Sequence, residues 1–344
     1  MERQVLYFMA PQQVAIQREP LPSPSFGQLL VQTIISAISP GTELLIYRGL
    51  APSDMAKDAT IAALGGGFSF PLKYGYAVVG RVLEVGRGVA PGWEDQLVFA
   101  FHPHESHFLA TPDELLKVPE GLTPEDAVFF PSMETAVTFL LDGQPLMGEQ
   151  VVVFGQGIVG LLLTALLSRW PLSSLVGLDL YPRRRLLSEE LGAHVTFDPS
   201  EAEAMERLHA HLQKAGPYPG ADLCYEISGN PVALDQAIAA TGFSGRVVIG
   251  SWYGLKRSDL NLGGRFHRSR VRLISSQVSS LAPELTGRWN KTRRYQVTWQ
   301  MLAQVQPARF ITHRFPLDQA ARAYELLDQH PEDVVQVILT HSTP

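Results

Sequence analysis

Three glycines, Gly155, Gly157 and Gly160, stand in G-x-G-x-x-G spacing where the apolar run "VVVFG" meets "GLLLTALLSRW". At a strand-to-helix junction this spacing suits a dinucleotide. The first glycine permits the tight turn, the second lets backbone approach a pyrophosphate, and the third allows helix and sheet to pack closely. The helix that follows offers free N–H groups to the phosphates. Gln156, Ile158 and Val159 fill the turn, and Asp179 closes the next apolar run 19 residues after Gly160. A carboxylate there accepts hydrogen bonds from a ribose diol and repels a 2′-phosphate, so NAD is the expected cofactor. Arg183, Arg184 and Arg185 follow. An arginine turned back toward that phosphate, with Arg184 the candidate, would admit NADP instead. Ser228, after "CYEI", and Gly250, after "VVI", are further cofactor-binding candidates at the ends of later apolar runs.

Four residues could move a proton or hold a developing charge: Tyr76 in "KYGYAVVG", His104 in "HPHES", Glu134 in "SMETA" and His267 in "RFHRSR". Each residue type also has a structural use. A tyrosine hydroxyl can bond backbone, a histidine can brace a scaffold, and a glutamate can pair with arginine. "FHPHESH" places His102, Glu105 and His107 around His104. Strand alternation sends Glu105 to the opposite face, so no metal is expected there. From Arg246 to Arg294 nine arginines and two lysines face only Asp259 and Glu284 in acid. Either these form solvated surface and internal ion pairs, or some of Arg265, Arg268, Arg270, Arg293 and Arg294 hold anionic groups of cofactor or substrate.

The elements that must position these residues change character along the chain. Up to about residue 130, short runs such as "QLLVQTIISAIS", "AVVGRVLEVG", "DQLVFAF" and "ELLKVP" are punctuated by Gly and Pro. They predict a small, closed or strongly twisted β domain. "TPEDAVFFPSMETAVTFLLDG" predicts a helix with Thr123 as N-cap and Pro124 in its first turn. From Glu149 strands and helices alternate, which predicts a parallel sheet covered on both faces. Near residue 276 the alternation ends, and "PLDQAARAYELLDQ" with "DVVQVILT" predicts a closing helix and strand. The expected class is α/β, with a dinucleotide domain over 132–275 and the β-rich domain over 1–131 and 276–344.

The chain has 344 residues, enough for two domains, and a net charge of −6 that disfavours a general nucleic-acid binder. Its single cysteine, Cys224, excludes a disulfide framework within the chain and any multi-cysteine zinc site. The first residues lack a signal-peptide pattern, and the longest apolar run, "GIVGLLLTALL", is too short to span a bilayer. A cytoplasmic protein without membrane or nucleic-acid partners is expected.

Landmarks along nearly the whole chain resemble the medium-chain dehydrogenase/reductase superfamily: "GTELLIYRG", "GYAVVGRVLEVG", "VPEGLTPEDAVFF", "TAVTFLLDG", the glycine motif and "AARAYELL…VVQVILT". The resemblance implies a GroES-like catalytic domain joined to a Rossmann domain. "KYGYAVVGRV", "HPHES", "META", "SWYG" and "GRFHRSRVRLISSQVSS" are similar to a narrower branch that includes a bacteriochlorophyllide a dehydrogenase, which oxidises a hydroxyethyl group on a chlorin with NAD. Against the zinc-dependent members, the first ligand position falls at Ser39, the His-Glu pair at Tyr76-Ala77 and the last ligand near Pro131-Ser132. Ala and Pro side chains cannot coordinate, and Ser and Tyr are not usual zinc ligands, so the resemblance implies a zinc-free site. It further implies hydride transfer between NAD(H) and a small-molecule alcohol or ketone, with an anionic substrate one option. Reduction of an activated C=C bond and non-catalytic dinucleotide binding are the alternatives. Homodimers formed through sheet edges in relatives make "VRLISSQVSS" the candidate edge.

Overall fold

The computed structural model describes residues 2–58, 60–212 and 219–341, and the chain divides into two compact units. Unit 1 comprises Met1–Pro131 and Leu302–Pro344, and unit 2 comprises Ser132–Met301.

Unit 1 opens with the antiparallel pair β1 (Glu2–Ala10) and β2 (Gln13–Pro20). β3 (Leu29–Ala37) is buried along most of its length, which fits its unbroken apolar run. α1 (Pro40–Tyr47) follows, with a proline in its first turn, and then β4 (Val78–Val85). β5 (Leu97–Ala100), β6 (His107–Ala110) and β7 (Leu115–Lys117) complete the first half of the sheet. Leu29, Val31, Val78, Val82, Val98, Phe108 and Leu115 form its core. The single helix expected from Thr123 is two: α2 (Pro124–Ala127) and α3 (Phe130–Gly143). Thr123 does cap, its Oγ1 accepting from the Asp126 N–H at 3.1 Å. The break has a plain cause, because Pro131 has no N–H to bond the carbonyl four residues back.

Unit 2 is built on β8 (Gln150–Phe154), α4 (Ile158–Leu167), β9 (Ser174–Leu178) and α5 (Pro182–Glu190). β10 (Val195–Phe197), α6 (Ala204–His211), β11 (Ala221–Glu226), α7 (Pro231–Ala240), β12 (Thr241–Ile249) and β13 (Arg272–Ser275) follow. Among the described residues the strands lie in the order β10-β9-β8-β11-β12-β13, all parallel. β8 and β9 are fully buried, as strands covered on both faces must be.

α8 (Lys291–Val305) carries the chain back, and β14 (Ile311–Pro316), α9 (Ala320–Gln329) and β15 (Gln336–Thr340) finish unit 1. β15 pairs antiparallel with β3 and parallel with β14. The return to unit 1 therefore falls after Met301, not at residue 276. The segment after 276 stays with unit 2 because Arg294, 1% exposed, donates to Glu134 Oε1 at 2.5 Å and to the Val278 carbonyl at 2.7 Å.

Candidate active site

In unit 2 the glycine turn has the geometry its spacing calls for. Gly155 sits at φ +98°, and a Cβ there would lie 2.7 Å from Ser228 Cα. A Cβ on Gly160 would lie 2.0 Å from the Gly155 carbonyl oxygen, so α4 can cross the strand end this closely only with glycine. Gly157 caps α4, and nothing stands within 4 Å of where its Cβ would be. That open ground before the first N–H groups of a helix fits a pyrophosphate.

Asp179 holds the turn from the next strand. Its Oδ2 accepts from the Gln156 N–H at 2.7 Å, and its Oδ1 accepts from the Tyr181 N–H at 2.9 Å. Each carboxylate oxygen keeps a second lone pair for a ribose hydroxyl. Arg184 lies 3.9 Å from Asp179 Oδ2 with its guanidinium over the Tyr181 ring. Gln156 is buried, and its side chain bonds the Val153 carbonyl and Thr164 Oγ1, so it braces the turn. Ile158 is buried and Val159 partly so. Ser228 donates through N–H and Oγ to Glu226 Oε1 at 2.9 and 2.6 Å. A Cβ on Gly250 would lie 2.1 Å from Phe139. The sequence-named positions thus gather at the carboxyl ends of β8, β9, β11 and β12, and they fit a nicotinamide dinucleotide.

In unit 1 the chemistry gathers at the start of α1. Ser39 is the N-cap residue, yet its side chain makes no capping bond. Its Oγ instead accepts from the Tyr76 hydroxyl, which also lies 3.4 Å from Thr42 Oγ1. Burial raises the Tyr76 pKa above its ordinary 10.0; the Ser39 and Thr42 hydroxyls pull it down, and the charges of Glu43 and Asp58 push it up. Glu43, wholly buried, accepts from the Ser39 N–H on Oε1 at 2.8 Å, and it bonds His104 Nε2 at 3.0 Å and the Tyr324 hydroxyl at 2.5 Å on Oε2. His104, also wholly buried, places Nδ1 2.8 Å from Ser36 Oγ, which lies 3.1 Å from His341 Nε2. Gly75 explains its own presence. A Cβ there would meet the His104 ring at 2.7 Å, and φ is +120°.

This donor set does not fit zinc. The positions that the family resemblance assigns to zinc ligands offer two neutral hydroxyls bonded to each other and an alanine, where zinc takes thiolate, imidazole or carboxylate. Among the described residues, the one group of three with metal-ligand geometry is exposed His330, Glu332 and Asp333, in a different part of unit 1.

The remaining candidates have other employments. Glu134 is buried against Arg294; burial raises its pKa, and Arg294 opposes the rise. His102 stacks on Phe108 at 4.0 Å, Glu105 pairs with Arg3 and Lys73, and His107 bonds Ser106. His267 is displaced from the cofactor end of the sheet. It lines a cavity of about 490 Å³ with Ser244, Arg270 and Arg272, because its segment enters β13 at the amino end, opposite the glycine turn. Of the arginines, Arg265 bonds the Thr241 carbonyl, Arg293 lies over Trp289, and Arg268 and Arg270 are exposed. Sequence reasoning did not single out Glu43, Ser36, Thr42, Tyr324 or His341 for chemistry. Ser36 and His341 are 305 residues apart, and no local pattern links them.

Residues 159–292 match the family model described as zinc-binding dehydrogenase. The uncharacterized zinc-type alcohol dehydrogenase-like protein YphC of Escherichia coli (strain K12) is 28% identical over 225 residues, covering 65% of this chain and 60% of that relative. The match thus spans less than two thirds of the relative's length. A structure described as a short chain alcohol dehydrogenase (rspB) from E. coli CFT073, complexed with NADH, superposes with a TM-score of 0.78 at 19% identity, covering 98% of this chain and 99% of that one. A zinc-binding dehydrogenase structure from Sinorhizobium meliloti 1021 bound to NADP gives 0.77 at 18% identity, covering 99% of both. The fold of the chain is therefore that of the medium-chain dehydrogenases, a GroES-like unit and a Rossmann unit.

Proposed function

We propose that this relative of the zinc-binding dehydrogenases is a zinc-independent oxidoreductase that interconverts a secondary alcohol and its ketone, with NAD(H) preferred. The observation that carries the reading is the diverted helix cap: Ser39 gives up its capping bond, and its Oγ meets the Tyr76 hydroxyl. A capping side chain contributes about 0.5–2 kcal/mol, and Ser39 forgoes that contribution where its Oγ meets Tyr76.

When bound, the nicotinamide supplies or accepts the hydride. Tyr76 does the work that a Lewis acid does in the zinc enzymes. In reduction its hydroxyl donates to the carbonyl oxygen and gives up its proton as charge develops there. The Ser39 and Thr42 hydroxyls then turn to donate to the phenolate oxygen. Its raised pKa keeps the phenol protonated at neutral pH, the state reduction requires. Oxidation runs the same proton back to the phenolate, so it quickens as pH rises toward the tyrosine's pKa. Asp179, with no 2′-phosphate to repel, supports NAD over NADP.

The test begins with metal analysis of the purified protein before and after a chelator, followed by a screen of secondary alcohols, polyols and hydroxyethyl-bearing tetrapyrroles with NAD. Turnover that survives chelation is expected. Stoichiometric zinc whose removal abolishes activity would overturn the metal-free reading. Reduction of enones by NADPH without alcohol turnover would replace the reaction, and cofactor binding without any turnover would remove the enzyme.

A further inference from the structure

The mechanism above leaves a buried polar array in unit 1 unused. His341, Ser36, His104, Glu43 and Tyr324 are each under a tenth exposed and joined in sequence by contacts of 3.1, 2.8, 3.0 and 2.5 Å. They come from β3, the start of α1, the loop before β6, α9 and the residue after β15. Such a set of buried groups costs desolvation unless every member is bonded, so its persistence calls for a use.

The bond directions are nearly forced. Glu43 Oε2 accepts from the Tyr324 hydroxyl, and as a carboxylate it also accepts from His104 Nε2–H. His104 Nδ1 is then an acceptor, so Ser36 must donate to it and accept from His341 Nε2–H. That leaves His341 Nδ1 as a bare lone pair, and this atom has no partner among the described residues. The reverse arrangement would leave a buried N–H there without an acceptor, the costlier of the two defects. Glu43 is thereby held from one side by two donors, Tyr324 and His104, and Gly75 packs under the His104 ring. Its other oxygen reaches the Ser39 N–H at 2.8 Å. In a capping box the glutamate at the third helical position makes this bond while the cap side chain bonds that residue's N–H. Here the glutamate is at the fourth position, and the Ser39 Oγ is left free for Tyr76.

We propose that Glu43, braced by His104, is the positioning residue that fixes the Ser39–Tyr76 hydroxyl pair for proton transfer. The inference rests on the reading of Tyr76 as the proton donor. No proton passes from Tyr76 to Glu43, because the link is a backbone N–H. Glu43 acts by holding Ser39 and by its negative charge. The groups that act on the Tyr76 hydroxyl are Ser39, Thr42 and Glu43 from α1 with its cap, and Asp58 from the following loop. Tyr74, of the same segment, packs its ring edge-on at 6.1 Å.

The experiment uses the full-length protein with ¹³C-ζ tyrosine, the Tyr76 signal assigned by its loss in Y76F. Titration of that signal in wild type, E43Q and H104N needs no turnover. In E43Q the Tyr76 pKa is expected to fall by about one unit, a tenfold change in acidity for removal of one nearby charge. H104N, which keeps the carboxylate but loosens its brace, should move the pKa less and lower kcat more than it changes KM. NADH affinity, read in unit 2, should be unchanged in both, and retained amide hydrogen-exchange protection across β3 and β15 reports that unit 1 is folded. An unmoved Tyr76 pKa in a folded E43Q protein would overturn the proposal. If the pKa falls as expected but Y76F turns substrate over at the wild-type rate, the proton-donor reading fails while the positioning contact stands. If E43Q does not fold, H104N alone decides: an unchanged kcat and pH profile would overturn the proposal.

Discussion

Tyr76→Phe removes one oxygen from a pair of bonded hydroxyls and leaves the ring packed edge-on against Tyr74. Loss of a positioned proton donor typically costs about 10²–10⁴-fold in rate, so kcat should fall by that much. NADH binding, determined by groups in unit 2, should hold. The remaining activity should also lose its rise toward alkaline pH, since the group raised above 10.0 is the one removed. A kcat within threefold of wild type would assign the chemistry to another residue. At this scale the sequence pointed to Tyr76 through its place between Gly75 and Gly80, and it pointed to His104 through its neighbours. It did not separate their roles. His104 spends both ring nitrogens on Ser36 and Glu43, so it braces, while Tyr76 is only partly buried. Glu134 and Arg294 each looked chemical alone, and the fold pairs them.

The strand-turn-helix element of unit 2 carries the cofactor prediction. Asp179 both anchors the Gln156 and Tyr181 N–H groups and presents its charge where a ribose diol would lie. Asp179→Asn keeps one acceptor oxygen and removes the charge. NADH affinity should weaken by about tenfold, the equivalent of roughly 1.4 kcal/mol, with NADPH affinity changed far less or improved. Isothermal titration with both nucleotides checks this, and an equal loss for both would show Asp179 to be structural only. This element was readable in sequence because all its constraints are local. Three glycines, one apolar strand and one helix lie within twenty residues. The break between α2 and α3 was readable too, in Pro131, but the helical period running through it masked the interruption. β10 carries little periodic signal over three residues, and it takes its form from β9, with which it pairs.

Across the molecule, titration should divide the two units. Burial pushes the His102 pKa from 6.5 down to about 4 and the His341 pKa down to about 3. The unfolded chain takes up these protons below about pH 6.5 and the folded chain refuses them. Their contribution is therefore complete above pH 6.5 and is lost as pH falls toward 4, at up to about 1.4 kcal/mol per pH unit for each histidine. Glu105 in unit 1, raised by burial, offsets part of this at the acid end. In unit 2, Glu134 and Asp142 are raised by burial and act with the opposite sign; His209, partly exposed, is lowered. Hydrogen exchange at pH 5 and pH 7.5, corrected for intrinsic rates, should show unit 1 losing protection first. Earlier loss in unit 2 would contradict the assignment.

No helix of the described residues is long and apolar enough to cross a membrane. By itself the sequence determined the two-unit α/β plan and the glycine turn with Asp179. Each of these is written in residue type and short spacing, where a side chain's partners lie within a turn or a strand of it. Only the tertiary structure decided that Ser39 leaves its cap for Tyr76, that Glu43 sits behind them, and that His341 closes the array from the far end of the chain. Those are contacts across 37, 61 and 305 residues. The last of them forms because β15 returns to pair with β3, a pairing of distant strands that no local pattern names.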